Sequence, residues 1–265
     1  MKKLMFAAAL AAVCVPAFAE DDAGISSSIV GYVTVEGVKP TQYVPMAVQF
    51  ENVAGGDIAV KDVVTVSIPQ GGSMSAADQI WRWNTASAAW TKYYLFTSER
   101  QGILNQWRKD GEEIETTDKI PCGETFFFMR SGAASEATSL TLAGGVKDLS
   151  SSISFSVTGG QLAFVANPWP KAIAIKDFCQ YSDGAWQGGA MAAADQIWLW
   201  DTEANTWTKY FLFTSERAGI LNQWRKDGEE VETTDEIPVG KGIFFQRSGA
   251  ASASVPLVVT FADKK

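Results

Sequence analysis

The chain contains one sequence twice, and this repetition constrains its fold more than any other feature. With an offset of 117 residues, positions 76–121 and 193–238 agree at 36 of 46 places without a gap. The agreement also includes residues 130–135 and 247–252. A unit of about 120 residues is a usual size for one domain. The sequence therefore predicts one domain fold used twice, with a boundary near the Gly-Gly pair at 144–145.

The two copies differ least in a segment where surface residues could vary freely. Residues 97–100 and 102–113 are identical to 214–217 and 219–230, although many of them are charged or polar. Substitutions at exposed charged positions usually change stability little, so this identity needs another cause. Two causes stay open: either the segment has the same specific role in both copies, or recent recombination made the copies uniform.

The first nineteen residues have the pattern of an export signal. Two lysines precede an apolar stretch at 4–15 that is too short to span a bilayer, and Ala-Phe-Ala at 17–19 fits a cleavage site. We predict a signal peptide at 1–19 and domains at 20–145 and 146–265. The expected location is extracellular or at the cell surface, with the periplasm as an alternative. No transmembrane segment is expected after cleavage.

Hydrophobic alternation predicts strands throughout the repeat. Trp81 and Trp83 share one face of a strand, whereas the phenylalanines at 126–128 are apolar on both faces, as in a central strand. Asp-Gly at 110–111 is typical of a tight hairpin turn joining two strands. A short helix over 98–107 is the alternative for one stretch, because its start resembles a capping box. We expect an all-β protein of two tandem homologous domains, β-sandwich-like or barrel-like.

The composition excludes several function classes. The sequence has no histidine, which rules out Ser-His-Asp and Cys-His catalysis and the metal sites that need imidazole. A formal net charge of −8 argues against nucleic-acid binding, which depends on Lys and Arg contacting phosphates. An enzyme is therefore the least favoured class, and no catalytic residue is predicted.

Tryptophan is the strongest signal of a binding surface. Three repeated pairs, Trp81/Trp198, Trp83/Trp200 and Trp90/Trp207, lie in apolar strands and are expected to pack in the core. Trp107 and Trp224 lie in the identical polar segment, so packing and stacking on a sugar ring both stay open for them. The candidate ligand-binding residues are Trp107, Asn105, Arg108 and Glu112, with their counterparts Trp224, Asn222, Arg225 and Glu229.

Cysteines and acidic residues give weaker signals. Cys122 and Cys179 could form a disulfide in an exported protein, and two buried thiols are the alternative. The acidic clusters within 110–118 and 227–235 could hold calcium through oxygen ligands, although their spacing does not match an EF-hand. A solvated hairpin face is the favoured interpretation of these clusters. No other metal or cofactor is expected.

The second copy resembles a loosely defined β-module of secreted and surface proteins from Bacteroidetes, Verrucomicrobia and Lentisphaerae. The resemblance rests on Asn-Pro-Trp-Pro at 167–170, Ile-Trp at 197–198, and Ile-Pro at 237–238 followed by Gly240 and Gly-Ile-Phe-Phe at 242–245. The first copy departs from this pattern, since it lacks the prolines of the first motif. The resemblance implies a secreted β-domain and transfers no catalytic residues.

These observations favour an exported, non-enzymatic protein of two aromatic-rich β-modules that acts in cell-surface structure or assembly. Its expected partners would then be further copies of itself or another surface protein. The alternative is a carbohydrate-binding or adhesion protein that binds a polysaccharide at equivalent sites around Trp107 and Trp224. Exposure of these two indoles distinguishes the hypotheses, because a sugar can stack only on an accessible face.

Overall fold

The computed structural model describes residues 30–146, 153–167, 171–178, 186–251 and 257–261. The predicted signal peptide lies outside these residues. The described chain is all-β, as predicted, and its helical segments are single turns. They are the α-helices Val60–Val63 and Ile175–Phe178 and the 3₁₀ turns Met74–Ala76, Glu99–Gln101, Met191–Ala193 and Glu216–Ala218.

The strands that the two repeats share follow one another in the same order. In the first repeat they are β1 (Val30–Val38), β2 (Tyr43–Ala47), β3 (Phe50–Glu51), β4 (Ile58–Ala59), β5 (Thr65–Val66), β6 (Gln79–Asn84), β7 (Ala89–Ser98), β8 (Ile103–Lys109), β9 (Lys119–Ile120), β10 (Thr125–Met129) and β11 (Thr138–Val146). In the second they are β12 (Ile153–Val157), β13 (Leu162–Ala166), β14 (Ile173–Ala174), β15 (Gln196–Asp201), β16 (Thr206–Ser215), β17 (Ile220–Lys226), β18 (Glu236–Ile237), β19 (Gly242–Gln246) and β20 (Leu257–Phe261). The short strands β3 and β5 of the first repeat have no counterpart among the described strands of the second.

Each repeat builds an antiparallel five-stranded sheet with the same topology. The strand orders are β2-β10-β6-β7-β8 and β13-β19-β15-β16-β17. The phenylalanine strand β10 lies between β2 and β6, as its two-sided apolar pattern predicted, and β19 holds the equivalent place. The β6–β7 and β15–β16 hairpins pair along their full length.

A second sheet completes a sandwich in the first repeat. β1 pairs with β11, which also pairs with β3 and β5. Phe126 and Phe128 of the five-stranded sheet pack in one buried cluster with Leu140 and Leu142 of β11. Sheets that pack in this way bury one face of each strand between them. In the second repeat β12 pairs with β20, and Val157 of β12 belongs to a corresponding core.

One local alternative is excluded, and one local prediction needs correction. The segment 98–107 is not a short helix: a single 3₁₀ turn, Glu99–Gln101, leads directly into β8, and the Ser98 side chain does not cap it. The Asp-Gly turn is confirmed, with Gly111 at a φ of 83°. Its return arm is not a strand, however, and only Glu115 forms a bridge back to Arg108.

The two repeats pack against each other through a third aromatic cluster, which we call the interface cluster. Its members come from both repeats: Tyr43, Trp81, Trp83, Trp90, Phe127, Leu162, Phe164, Trp198, Trp200, Trp207 and Phe244. Phe127 points into this cluster while Phe126 and Phe128 point into the core, so both faces of β10 are covered. The three tryptophan pairs are therefore packed, as predicted, but they are only partly buried and lie between the repeats.

The contacts between the repeats are reciprocal. Trp83 lies 5.6 Å from Phe244 between ring centroids, and its counterpart Trp200 lies 5.7 Å from Phe127. The backbone follows the same rule, because Ala166 N donates to Gly123 O at 2.8 Å and Ala47 N donates to Gly240 O at 3.3 Å. Reciprocal contacts of this kind characterise a two-fold dimer interface. The repeats are therefore arranged about an approximate two-fold axis.

Candidate functional site

The repeated edge segment, defined here as residues 97–113 and 214–230, lies at one border of each five-stranded sheet. Among the described strands, β8 and β17 are the last in their sheets. Gly102 ends the 3₁₀ turn in a left-handed conformation, with a φ of 66°, which glycine adopts at low cost. Asn105 also has a positive φ of 53°, and the β7–β8 register shifts between Phe96 and Ser98. The edge is therefore irregular and does not extend the ladder as a flat strand.

Both candidate tryptophans of this segment are buried. Trp107 is 3% exposed and Trp224 is fully buried. Trp107 lies opposite Leu95, which faces the core of the first repeat, and Trp224 packs edge-on against Trp186 with 5.9 Å between ring centroids. Neither indole offers a face to a sugar ring. The accessible platform that the carbohydrate hypothesis requires is therefore missing at these two residues.

The candidate arginines are stacked and hydrogen-bonded within their own sheets. The Arg108 guanidinium lies 3.7 Å from the centroid of the Phe96 ring, and Arg225 lies 3.8 Å from that of Phe213. The Nε of Arg108 also donates to Gln106 Oε1 at 2.8 Å. A guanidinium on an aromatic face gains a favourable cation–π contact. These side chains consequently stiffen the edge segment.

The remaining candidates are exposed but do not converge on one point. The backbone N–H of Asn105 donates to Thr97 Oγ1 at 3.1 Å, and Asn222 makes the same bond to Thr214. Glu112 and Glu229 form long ion pairs, of 3.8 and 3.9 Å, with the lysines three residues before them. The structure thus places the eight predicted site residues in two equivalent segments without gathering either set of four around a shared surface.

The acidic cluster of each repeat is partly used by a buried tyrosine. Tyr93 donates its hydroxyl to Asp118 Oδ2 at 2.7 Å, and Tyr210 does the same to Asp235. Burial, and the hydrogen bond to a carboxylate, raise the pKa of both tyrosines well above the ordinary value of 10.0. Within the described ranges, no group of three or more Asp, Glu or Cys side chains comes together as metal ligands. This arrangement gives the calcium hypothesis no support.

A buried ion pair that sequence reasoning missed explains two of the repeated motifs. Arg130 Nη1 donates to Asp78 Oδ2 at 2.6 Å, and Arg247 donates to Asp195 at 2.7 Å. The other oxygen of Asp78 accepts the N–H of Ser131 at 2.8 Å. A buried charge is tolerated only when it is paired and hydrogen-bonded. The recurrence of Ala-Ala-Asp and Arg-Ser-Gly at the same spacing was the available signal.

Two clefts flank the interface cluster and are related by the approximate two-fold axis. The Glu124 cleft, about 440 Å³, lies between residues 82–86 and 121–124 of the first repeat and 163–165 of the second. The Lys241 cleft, about 520 Å³, is built by the equivalent residues 199–203 and 238–241, together with β1 and β2 of the first repeat. These concave surfaces lie away from the repeated edge segment.

The two clefts differ in charge at two matching positions. In the Glu124 cleft, Arg82 Nε donates to Glu124 Oε2 at 2.8 Å, so both charges are paired. Leu199 and Lys241 occupy these two positions in the other cleft. Lys241 forms no ion pair in the part of the chain that the structure describes, and burial lowers its pKa below the ordinary value.

The disulfide hypothesis falls partly outside the described residues. Cys122 is half-buried in the Glu124 cleft, whereas Cys179 is not described. The pairing of the two cysteines stays a prediction.

No protein-family model, curated protein or solved structure matches this chain. The resemblance to surface β-modules therefore stays an expectation from the motifs alone. No helix among the described residues is long and apolar enough to cross a membrane.

Proposed function

We propose that this chain is an exported, non-enzymatic structural protein that assembles with further copies of itself through the repeated edge segment. The observation that carries the proposal is the way this segment is displayed. Its tryptophans are buried, while Leu104 and Leu221 are 67% and 68% exposed at equivalent points of the two edge strands. An unchanged aliphatic side chain that faces solvent in both copies suits contact with another protein surface.

The approximate two-fold arrangement supports a second copy as the partner. One molecule carries two equivalent edge segments, and like segments of different molecules can meet in self-complementary contacts. Because each molecule has two such contacts, association would continue beyond a dimer into an open array. This is the behaviour expected of a building block for a surface layer or fibre.

The carbohydrate-binding or adhesion alternative receives less support from the same segment. Its proposed platform, the indoles of Trp107 and Trp224, is turned into the two cores. The polar side chains that would fix a sugar are Asn105 and Glu112, and neither lies beside an exposed aromatic ring of this segment. A polysaccharide panel nevertheless belongs in the experiment as a second arm.

The test is sedimentation velocity of residues 20–265 over a wide concentration range. We expect wild-type protein to form species larger than dimers. Leu104→Lys leaves one intact segment and should stop association at the dimer, and Leu104→Lys with Leu221→Lys should give monomers. Ile68→Lys, at an exposed position outside the segment, is the control and should associate like wild type.

Two results would contradict the proposal. One is a wild-type protein that stays monomeric at the highest concentration. The other is a double variant that associates as strongly as wild type. Saturable binding of a polysaccharide that the double variant retains would instead favour the adhesion alternative.

A further inference from the structure

We propose that the Lys241 cleft binds a small amphipathic carboxylate, a molecule with one carboxylate group and an apolar body. This inference is independent of the proposed assembly, because the cleft lies between the repeats and away from the repeated edge segment. It rests on a comparison of the two clefts. The approximate two-fold axis makes their backbones equivalent, but their side chains differ.

Three polar side chains of the Glu124 cleft, those of Arg82, Trp83 and Glu124, have partners within the protein. Trp83 Nε1 donates to the carbonyl oxygen of Leu162 at 2.7 Å. Arg82 binds Glu124 through two nitrogens, at 2.8 and 3.1 Å. Its remaining terminal nitrogen donates to Lys119 O at 2.9 Å. These groups need no ligand, because their hydrogen-bonding capacity is met.

Trp200, the counterpart of Trp83, and two other polar side chains of the Lys241 cleft lack such partners. Trp200 Nε1 and Thr202 Oγ1 are both buried and make no hydrogen bond to any described residue. Lys241, which lines the same cleft, has no acidic partner within ion-pair distance among the described residues. Burying a donor without an acceptor costs about 1–3 kcal/mol, so native structures rarely leave several together. Three donor groups at one cleft call for a ligand that brings acceptors.

The lining of the cleft defines the rest of that ligand. Val33, Val35 and Leu199 contribute aliphatic residues to its walls. A volume of about 520 Å³ lies within the range of small-molecule sites. The positive charge of Lys241 then selects an anion with an apolar body.

The acidic residues near the cleft restrict the anion to a single charge. Glu36, Asp201 and Glu203 also line it. Asp201 Oδ1 accepts the backbone N–H groups of Glu203 and Ala204, at 2.8 and 2.9 Å, and the Asp201 charge also acts on Lys241, whose pKa it raises against the lowering effect of burial. Like charges repel, so a phosphate or polyanion would be disfavoured here. A monocarboxylate such as a medium-chain fatty acid fits both the walls and the charge.

The test is titration calorimetry of residues 20–265 with decanoate, using decanol as the uncharged probe. We expect saturable binding of one decanoate per chain and weaker binding of decanol. Lys241→Gln should weaken decanoate binding about tenfold or more, because a charge-assisted hydrogen bond is lost. Thr202→Val should weaken it by a smaller factor, and the indole N–H signal of Trp200 should shift on binding in NMR spectra.

The equivalent cleft supplies matched controls. Glu124→Gln and Thr85→Val change the corresponding positions and should leave decanoate affinity unchanged. The inference is overturned if decanoate does not bind saturably, or if Lys241→Gln and Glu124→Gln bind it equally well. It is also overturned if Lys241→Gln abolishes self-association while no decanoate binds, since the cleft would then accommodate a second copy.

Discussion

At the scale of single residues, the tyrosines buried beside the acidic clusters are the most informative. Tyr93 and Tyr210 each donate a hydrogen bond to an aspartate while their rings pack in a core. Each aspartate also lies near a lysine, at 3.5 Å for Asp118 and 3.6 Å for Asp235. Asp118 and Asp235, for which calcium binding was the weaker interpretation, thus link β7 to β8 and β16 to β17 through a tyrosine and a lysine.

We expect ionisation of these tyrosines to reduce the stability of the protein at alkaline pH. The pKa values of these tyrosines are higher in the folded state than in the unfolded state. The stability that this difference contributes is therefore complete below about pH 10, and it is lost as the pH rises above the unfolded-state pKa. The free energy of unfolding should therefore fall above about pH 10. In the double variant Tyr93→Phe with Tyr210→Phe, the free energy of unfolding should fall less steeply with pH. Urea unfolding at several pH values measures this slope. Tyr94→Phe is the control, and an equal slope in all three proteins would refute the prediction.

At the scale of elements, the buried ion pairs fix how strands and loops join. Asp78 precedes β6 and Arg130 follows β10, and their contact ties together the ends of two neighbouring strands. Arg130 also donates to the carbonyl of Ile68, so the loop after β5 is held at the same point. The ion pair therefore joins the loop after β5, the start of β6 and the end of β10.

Removing that carboxylate should destabilise the first repeat strongly. Asp78→Ala leaves the Arg130 guanidinium buried without its counter-charge, and the expected loss is about 3–5 kcal/mol in the free energy of unfolding. Lys61→Ala, which breaks the exposed pair of Lys61 with Glu115, should cost less than about 1 kcal/mol. Urea unfolding monitored by circular dichroism measures both. Similar losses in the two variants would show that the buried pair has no special role.

At the scale of the whole molecule, the interface cluster makes one body of the two repeats. The three tryptophan pairs that were expected in a core fill the contact between the five-stranded sheets. Gly242 lies where this contact is tightest, because a Cβ there would collide with the side chain of Thr125. Thr125 is the counterpart of Gly242 in the first repeat, so the collision lies close to the approximate two-fold axis.

A methyl group at this point should push the repeats apart. We expect Gly242→Ala to lower stability by about 1–3 kcal/mol, as overpacking of a buried contact does. It should also change the near-ultraviolet circular dichroism of the interface tryptophans. Gly249→Ala is the matched control, since a Cβ at Gly249 meets no atom within 4 Å. If both variants behave alike, the contact between the repeats is not as close as described.

Local patterns determined much of this protein. Alternation predicted the strand that contains Trp81 and Trp83, and the three phenylalanines of β10 indicated a strand covered on both faces, because side-chain period follows directly from strand geometry. The positive φ of Gly111 followed from the Asp-Gly pair. The repeat of 117 residues predicted two copies of one topology.

The tertiary structure alone decided what lies on each side of those strands. Alternation of apolar and polar residues along a strand cannot distinguish a domain core from an interface, because both shield side chains from water. Only the packing showed that Trp83 lies between the repeats and Trp107 inside one of them. The partners of Asp78 and the difference between the two clefts likewise depend on residues far apart in the chain. A single sequence records which side chains must be buried, and the fold determines which of them meet.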